Sequence, residues 1–424
     1  MKTVSLGTSI YVLKVEEKVR MSEEFKNVSQ ERKKGKKISL EFLNIDAARK
    51  AQKFHKSFNN YSITPLTELK NLADTIGVNN IYVKDESYRF GLNAFKVLGG
   101  SYAIGNYIAE KLGQDIDELP YEKMISDEVK SKLGDITFIT ATDGNHGRGV
   151  AWTANRLKQK SIVYMPKGSS LERLNNIKAE GAEASITDMN YDEAVRFSNE
   201  LAEKNGWVMV QDTAWEEYEK IPTWIMQGYT TMAYEVYMQL QEMKAEMPTH
   251  IFLQAGVGAF AGAVQGFFAS VYGENRPITT IVEPNKADCI YKTAEKNDGE
   301  LHFVTGDMDT IMAGLACGEP CSIGYKVLRD YSDNFVSCPD FITAKGMRTM
   351  GNPVGDDKKI ISGESGAVTL GLVAEIMGNP DLQWLKDKLK LDKNSRILCF
   401  STEGNTDKES YRDIVWNGKY PSYR

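Results

Sequence analysis

Lys96 stands in Asn93-Ala94-Phe95-Lys96-Val97-Leu98-Gly99-Gly100, a cation among apolar and small neighbours where an amphipathic surface would not place one. An ammonium taken out of water loses hydration, so burial is expected to lower its pKa and release free amine. A free amine there can form a Schiff base with a carbonyl compound, the aldehyde of pyridoxal phosphate among them. The plainer reading is a lysine whose stem lies along apolar surface while its charge reaches water. Lys96 alone does not separate the two.

A second segment offers backbone rather than side chains. His250–Ala255 reads as a strand, Gly256-Val257-Gly258-Ala259 as a turn, and a helix begins near Phe260. Glycines let N–H groups converge on one point and the helix adds its positive end, so a phosphate suits the place. The same stretch matches the start of a dinucleotide fingerprint: Gly256 and Gly258 are spaced G-x-G, and Ala261 takes the third position, which the pattern tolerates. Glu283 then ends the next strand where a ribose-binding acid would sit. An NAD-dependent oxidoreductase is therefore a competing reading, and glycines serving helix–strand packing are another. Lys96 and the turn at Asn145 weigh against hydride transfer, which needs neither.

These residues require a frame. From about residue 80, apolar β-rich runs alternate with helical patterns, as in α/β units. Strands are expected at 81–84, 136–141, 161–165, 207–211, 250–255, 278–283 and 396–402. Small or polar turns follow at Thr142-Asp143-Gly144-Asn145, Ala255-Gly256-Val257-Gly258 and Ser401-Thr402-Glu403-Gly404. Open α/β sheets gather ligands at the carboxyl ends of their strands. One composite site is expected.

The 424 residues suffice for two or three domains, and 42% hydrophobic with 26% charged residues is ordinary for a globular protein. A net charge of −6 argues against nucleic-acid binding. The basic run Arg32-Lys33-Lys34-Gly35-Lys36-Lys37 reads as solvated surface. No apolar stretch reaches the roughly 18 residues of a membrane helix, and the N-terminus shows no signal-peptide pattern, so a cytoplasmic location is expected. Five cysteines and four histidines lack zinc-ligand spacing, and no metal is expected.

In order along the chain, Lys84-Asp85-Glu86-Ser87 with Phe95-Lys96, Asp143-Gly144-Asn145-His146-Gly147, Gly256-Val257-Gly258-Ala259 and Ser401-Thr402-Glu403-Gly404 resemble the pyridoxal-phosphate enzymes of the tryptophan-synthase β type. Serine and threonine dehydratases, threonine synthase and cysteine synthase belong there. Within that group the chain is similar to the diaminopropionate ammonia-lyases, through residues 84–96, Thr142 to Gly149, Gln211-Asp212-Thr213-Ala214-Trp215-Glu216 and Ile361 to Ala367. The match covers nearly everything after about residue 40.

The resemblance implies two open twisted, mostly parallel sheets flanked by helices. Residues 1–98 and 226–424 would form the large domain and 99–225 the small one, with pyridoxal 5'-phosphate between them. Lys96 would be the Schiff-base lysine. Gly256, Val257, Gly258 and Ala259, with Gly262 nearby, would hold the phosphate. Asn145 would bond the ring hydroxyl, Thr402 or else Ser401 the pyridine nitrogen, and Glu283 would form a wall beneath the ring. His146 would pack the turn. Where the dehydratases carry a small or hydroxyl residue before Gly-Asn-His, this chain has Asp143, an anion suited to a second ammonium group on the substrate and able to carry a proton. Asp212 is a further candidate acid. A turn or helix-cap role is the plainer reading of both.

The implied reaction is α,β-elimination of D- and L-2,3-diaminopropionate to pyruvate and two ammonia. Lys96 would act on one face of Cα and Asp143 on the other. The alternatives are a serine/threonine dehydratase, or a non-catalytic protein binding pyridoxal phosphate or an amino acid. A homodimer is implied too. Cys289 and Cys317 would lie near the site entrance and approach closely enough to pair under oxidation.

Overall fold

The computed structural model describes residues 24–422. Seven strands form the larger sheet: β1 (Lys26–Ser29), β2 (Leu66–Glu68), β3 (Asn80–Asp85), β8 (His250–Gln254), β9 (Ile278–Pro284), β10 (Asn334–Cys338) and β11 (Arg396–Ser401), in the order β1-β10-β9-β8-β11-β3-β2. The inner strands are parallel, and β1 and β2 close the two edges antiparallel. The smaller sheet, β6-β5-β4-β7, is parallel throughout, from β4 (Thr137–Ala141), β5 (Lys160–Met165), β6 (Glu183–Ile186) and β7 (Val208–Met209). Strands such as β8 (HIFLQ) are buried along their whole length, as expected of parallel strands covered on both faces.

Every strand expected from sequence is present, within a residue or two except for β7, which is shorter. β1, β2, β6 and β10 carry no comparable signal. The first three are edge strands of three or four residues, and β10 opens on Asn334 and includes Ser337. Those polar side chains are satisfied from outside the strand, Asn334 by Ser29 and Ser337 by Asp288. The basic run is not free in solvent: Arg32, Lys33 and Lys37 reach Asp333, Asp330 and Glu274 at 2.8, 2.7 and 3.0 Å.

Close backbone approaches join the two sheets. A Cβ on Gly149, in the helix Asn145–Arg156, would lie 2.7 Å from Val97 Cα. One on Gly99 would lie 2.6 Å from Ile225 and Tyr229 of the helix Lys220–Glu242. The segment around Lys96 is thus wedged between helices of both layers.

Beneath it lies a buried ionic cluster. Arg89 donates to Glu86 (2.8 Å, twice) and to Glu235 (2.8 and 2.7 Å), while Lys84 reaches Glu235 at 2.6 Å, all with fully buried side chains. Two cations face two anions. The cluster pins the turn that leaves β3 toward Lys96.

Candidate active site

Lys96 precedes the helix Val97–Lys111 at the end of an irregular run in which Phe90 and Asn93 adopt left-handed φ of 51° and 61°. Phe95 N–H donates to the Thr402 carbonyl (3.1 Å), and the Phe95 ring packs on Phe260 and Tyr229. The lysine does not reach for bulk water. Its Nζ lies 3.1 Å from Asp212 Oδ2 and 3.9 Å from Asp143 Oδ1. Burial does act to lower its pKa, but Asp212 and then Asp143 outweigh burial and hold the ammonium above its ordinary value. The expectation of a partly free amine is therefore overturned, because two carboxylates stand where sequence reasoning counted only apolar neighbours.

Asp212 follows β7 and is buried. Burial acts to raise its pKa; the Lys96 ammonium 3.1 Å away works against burial, and the carboxyl is held down at about 2. His146 packs the turn, its Nε2 2.7 Å from the Val210 carbonyl. A carbonyl only accepts, so Nε2 carries the hydrogen and Nδ1 turns a lone pair toward Asp212, 3.9 Å away. Burial pushes this imidazole's pKa down more than Asp212 raises it.

Asp143 sits in the turn after β4, but Thr142 closes that turn, its Oγ1 accepting from the N–H of Gly144 (2.9 Å) and Gly147 (3.0 Å). The cap reading of Asp143 fails on this point. Its Oδ2 is buried without a hydrogen bond, 3.7 Å from Arg173 Nη1.

A cavity is lined by Lys96, Asn145 and Asp212, by the loop Gly256 to Ala259, and by Thr402 and Glu403. Gly258 has a φ of 91°, a conformation that favours glycine. Among the described residues no acceptor meets the N–H groups of Gly256, Val257, Gly258 or Ala259, at the head of the helix Ala259–Tyr272. Gly262 is a correction: its N–H is spent on the Gly258 carbonyl (2.8 Å), and a Cβ there would meet Gly324 Cα at 2.9 Å. It serves helix–helix packing.

Glu283 is a second correction. It does not line the cavity. Its carboxyl oxygens accept from Ile290 N (2.9 Å) and Tyr291 N (2.6 Å), capping the helix Cys289–Lys296. That removes both the wall under a ring and the ribose acid of a dinucleotide site. Between the two hydroxyl candidates, Ser401 donates to Ser362 (2.9 Å) away from the cavity, and Thr402 lines it. Gln254 Nε2 is fixed by the Phe400 carbonyl (3.0 Å) and also donates to Thr402 Oγ1 (2.8 Å), so the Thr402 hydrogen is left for the cavity. Asn145 Nδ2 donates to Glu403, with its second hydrogen free. Cys289 and Cys317 are both buried free thiols flanking Gly256.

The residues present fit pyridoxal phosphate. Unpaired N–H groups converge for the phosphate, a hydroxyl committed to donating suits an unprotonated pyridine nitrogen, and a lysine stands beside them. Sequence reasoning passed over Arg173, Gln254 and Glu403. Glu403 lies inside the Ser401-Thr402-Glu403-Gly404 string and Gln254 just before the glycine turn, whereas Arg173 comes from the other sheet's helix Leu171–Ala179 and carries no local signal.

The family model described as pyridoxal-phosphate dependent enzyme matches residues 58–399. Diaminopropionate ammonia-lyase of Salmonella typhimurium is 52% identical over 392 residues, covering 92% of this chain and 97% of that protein. The chain belongs to the diaminopropionate ammonia-lyase family. A solved holo structure of the family's Escherichia coli member superposes with a TM-score of 0.87 at 49% identity, covering 93% of this chain and 97% of that one. The Escherichia coli family member in complex with an aminoacrylate–pyridoxal-phosphate azomethine reaction intermediate gives 0.85 at 48% identity over 93% and 98%. An L-threonine dehydratase of Staphylococcus aureus is 25% identical over 84% of this chain and 87% of its own length.

Proposed function

We propose that the chain eliminates ammonia from D- and L-2,3-diaminopropionate, giving pyruvate and a second ammonia. One observation carries this reading: Asp212 and Asp143 clasp the ammonium of Lys96 beside the phosphate cradle. What they do for a lysine they can do for a diamino acid once Lys96 is engaged. Linked through Lys96, pyridoxal phosphate supplies an electron sink that makes the α-proton of a bound amino acid labile and allows a β-substituent to leave.

The chain supplies the rest. Gly256 to Ala259 would anchor the phosphate, Asn145 would bond the ring hydroxyl, and Thr402 would donate to the ring nitrogen. Lys96 would take the α-proton from one face of Cα and Asp143 from the other, so both enantiomers would be accepted. Asp212 holds the Lys96 amine in place. The β-amine leaves only if protonated, because an amide ion is a prohibitive leaving group. A neighbouring anion keeps it an ammonium, and serine has no such group for Asp143 to meet. Between a dehydratase and an ammonia-lyase, Asp143 favours the lyase. A mere carrier of the cofactor would not need it.

On this reading residues 1–98 with 226–424, and 99–225, form the two domains about the cofactor, 1–23 and 423–424 lying outside the described residues, and the enzyme works as a cytoplasmic homodimer. Light scattering tests the dimer. Among the described residues no helix is long and apolar enough to cross a membrane. Incubating the loaded protein with DL-2,3-diaminopropionate should release two ammonia per pyruvate; faster pyruvate formation from D- or L-serine would overturn the substrate assignment.

A further inference from the structure

Arg173 is a buried cation whose Nε has no hydrogen-bond partner. The residue is 8% exposed and lines a second cavity together with Asp143. The nearest anions stand just beyond hydrogen-bond reach, Asp143 Oδ2 at 3.7 Å from Nη1 and Glu364 Oε2 at 3.9 Å from Nη2. A guanidinium has five N–H donors, and burying it unsatisfied is costly unless charge compensates. Its position is fixed nonetheless. Ser170 Oγ caps the helix by accepting from Arg173 N (3.2 Å), and the stem lies on the active-site turn, where a Cβ on Gly144 would meet Arg173 Cδ at 3.1 Å.

The two oxygens of Asp143 therefore face different cations, Oδ1 toward Lys96 and Oδ2 toward Arg173. Lys96 is not a lasting counter-ion, since its nitrogen would be taken up by the cofactor and would have to be a neutral amine to accept the α-proton. Arg173 is the cation that stays. We propose that Arg173 is a positioning residue for Asp143, holding Oδ2 and balancing its charge so that Oδ1 is presented to the second ammonium group of a diamino acid. This deepens the proposed function and rests on Asp143 meeting the substrate.

The other groups around Asp143 offer no replacement. Burial lowers the pKa of His146, Tyr191, Tyr229 and Cys317 stay protonated because burial raises theirs, and Asp212 and Glu364 are themselves carboxyls. Without Arg173, Asp143 would share a buried site with these carboxyls and face no lasting cation.

The experiment is a cycle of Arg173→Gln, Asp143→Asn and the double variant, with Arg173→Lys as the conservative control. Cofactor loading is read from the visible absorbance and folding from thermal melting. In the otherwise unchanged enzyme, Arg173→Gln should lower kcat/KM for D-2,3-diaminopropionate about tenfold or more. It should change D-serine binding, followed by the visible spectrum, far less, and Arg173→Lys should restore part of the loss. In the Asp143→Asn background, Arg173→Gln should add little. Equal losses in both backgrounds, or equal losses for diaminopropionate and serine, would overturn the proposal. If Arg173→Gln fails to load cofactor, Arg173→Lys decides: a loaded Lys variant whose D-serine binding falls as much as its diaminopropionate turnover overturns it as well. Failure of Asp143→Asn alone to affect diaminopropionate would instead refute the role given to Asp143.

Discussion

Asp143 and Asp212 lie at similar reach of one lysine and have different surroundings. Asp212 is fully enclosed, faces His146 and sits closest to Lys96; Asp143 has an unpartnered oxygen toward a second cavity that Arg173 also lines. The first is placed to hold an amine, the second to meet a substrate. Asp143→Asn should depress turnover of the D-isomer more than of the L-isomer, by about a hundredfold if the carboxylate is the base. Steady-state kinetics on the separate enantiomers decide this, and equal losses would remove Asp143 from that role. Much of this is legible in the sequence, because Asp143, Asn145 and the glycine loop follow strand carboxyl ends and Lys96 stands in a recognisable string before a helix. The sign of the Lys96 shift was not, since Asp212 is more than a hundred residues away and its approach is a property of the fold. Glu283 was misassigned for a related reason: a strand-end acid looks the same in sequence whether it faces a ligand or caps the following helix.

At the scale of elements, the site depends on parts that never touch substrate. The Lys84–Glu86–Arg89–Glu235 cluster holds the turn below Lys96, and each charge in it is satisfied by the others. Removing one partner leaves a buried cation uncompensated, so Glu235→Ala is expected to destabilise the protein by about 3–5 kcal/mol. Replacing the whole cluster with apolar residues would cost less. Urea unfolding of the single variant checks the figure; a loss below about 1 kcal/mol would show the cluster to be solvated in practice. The Lys84-Asp85-Glu86-Ser87 string marked this place in the sequence, but its partner Glu235 lies on the helix Lys220–Glu242, and only the packing of that helix reveals the pairing. β10 was missed similarly, because its polar residues are answered by groups on other elements.

The whole molecule carries buried histidines that bear on its acid stability. His55 is fully buried, with Nε2 3.0 Å from the Leu98 carbonyl and Nδ1 2.8 Å from Thr231 Oγ1, and burial lowers its pKa from 6.5 to about 3. The pKas of His146 and His250 are lowered by burial as well. A group depressed in the folded state binds protons more weakly there than when unfolded. Its stabilising effect is thus complete above the unfolded value of about 6.5 and is lost as pH falls toward the folded one. For His55 that window is pH 6.5 to about 3, with a slope of about 1.4 kcal/mol per pH unit. Thermal melting from pH 7 to pH 4 should show stability falling, and His55→Gln should flatten the profile below pH 6.5. An unchanged slope in that variant would contradict the assignment.

The most direct measurement concerns the link between Lys96 and the cofactor. Borohydride reduction of the pyridoxal-phosphate-loaded protein, followed by proteolysis and peptide mapping, should place the reduced pyridoxyl group on Lys96 alone, and Lys96→Ala should lose both that adduct and the visible absorbance. A pyridoxyl group on another lysine, or none after full loading, would contradict the account.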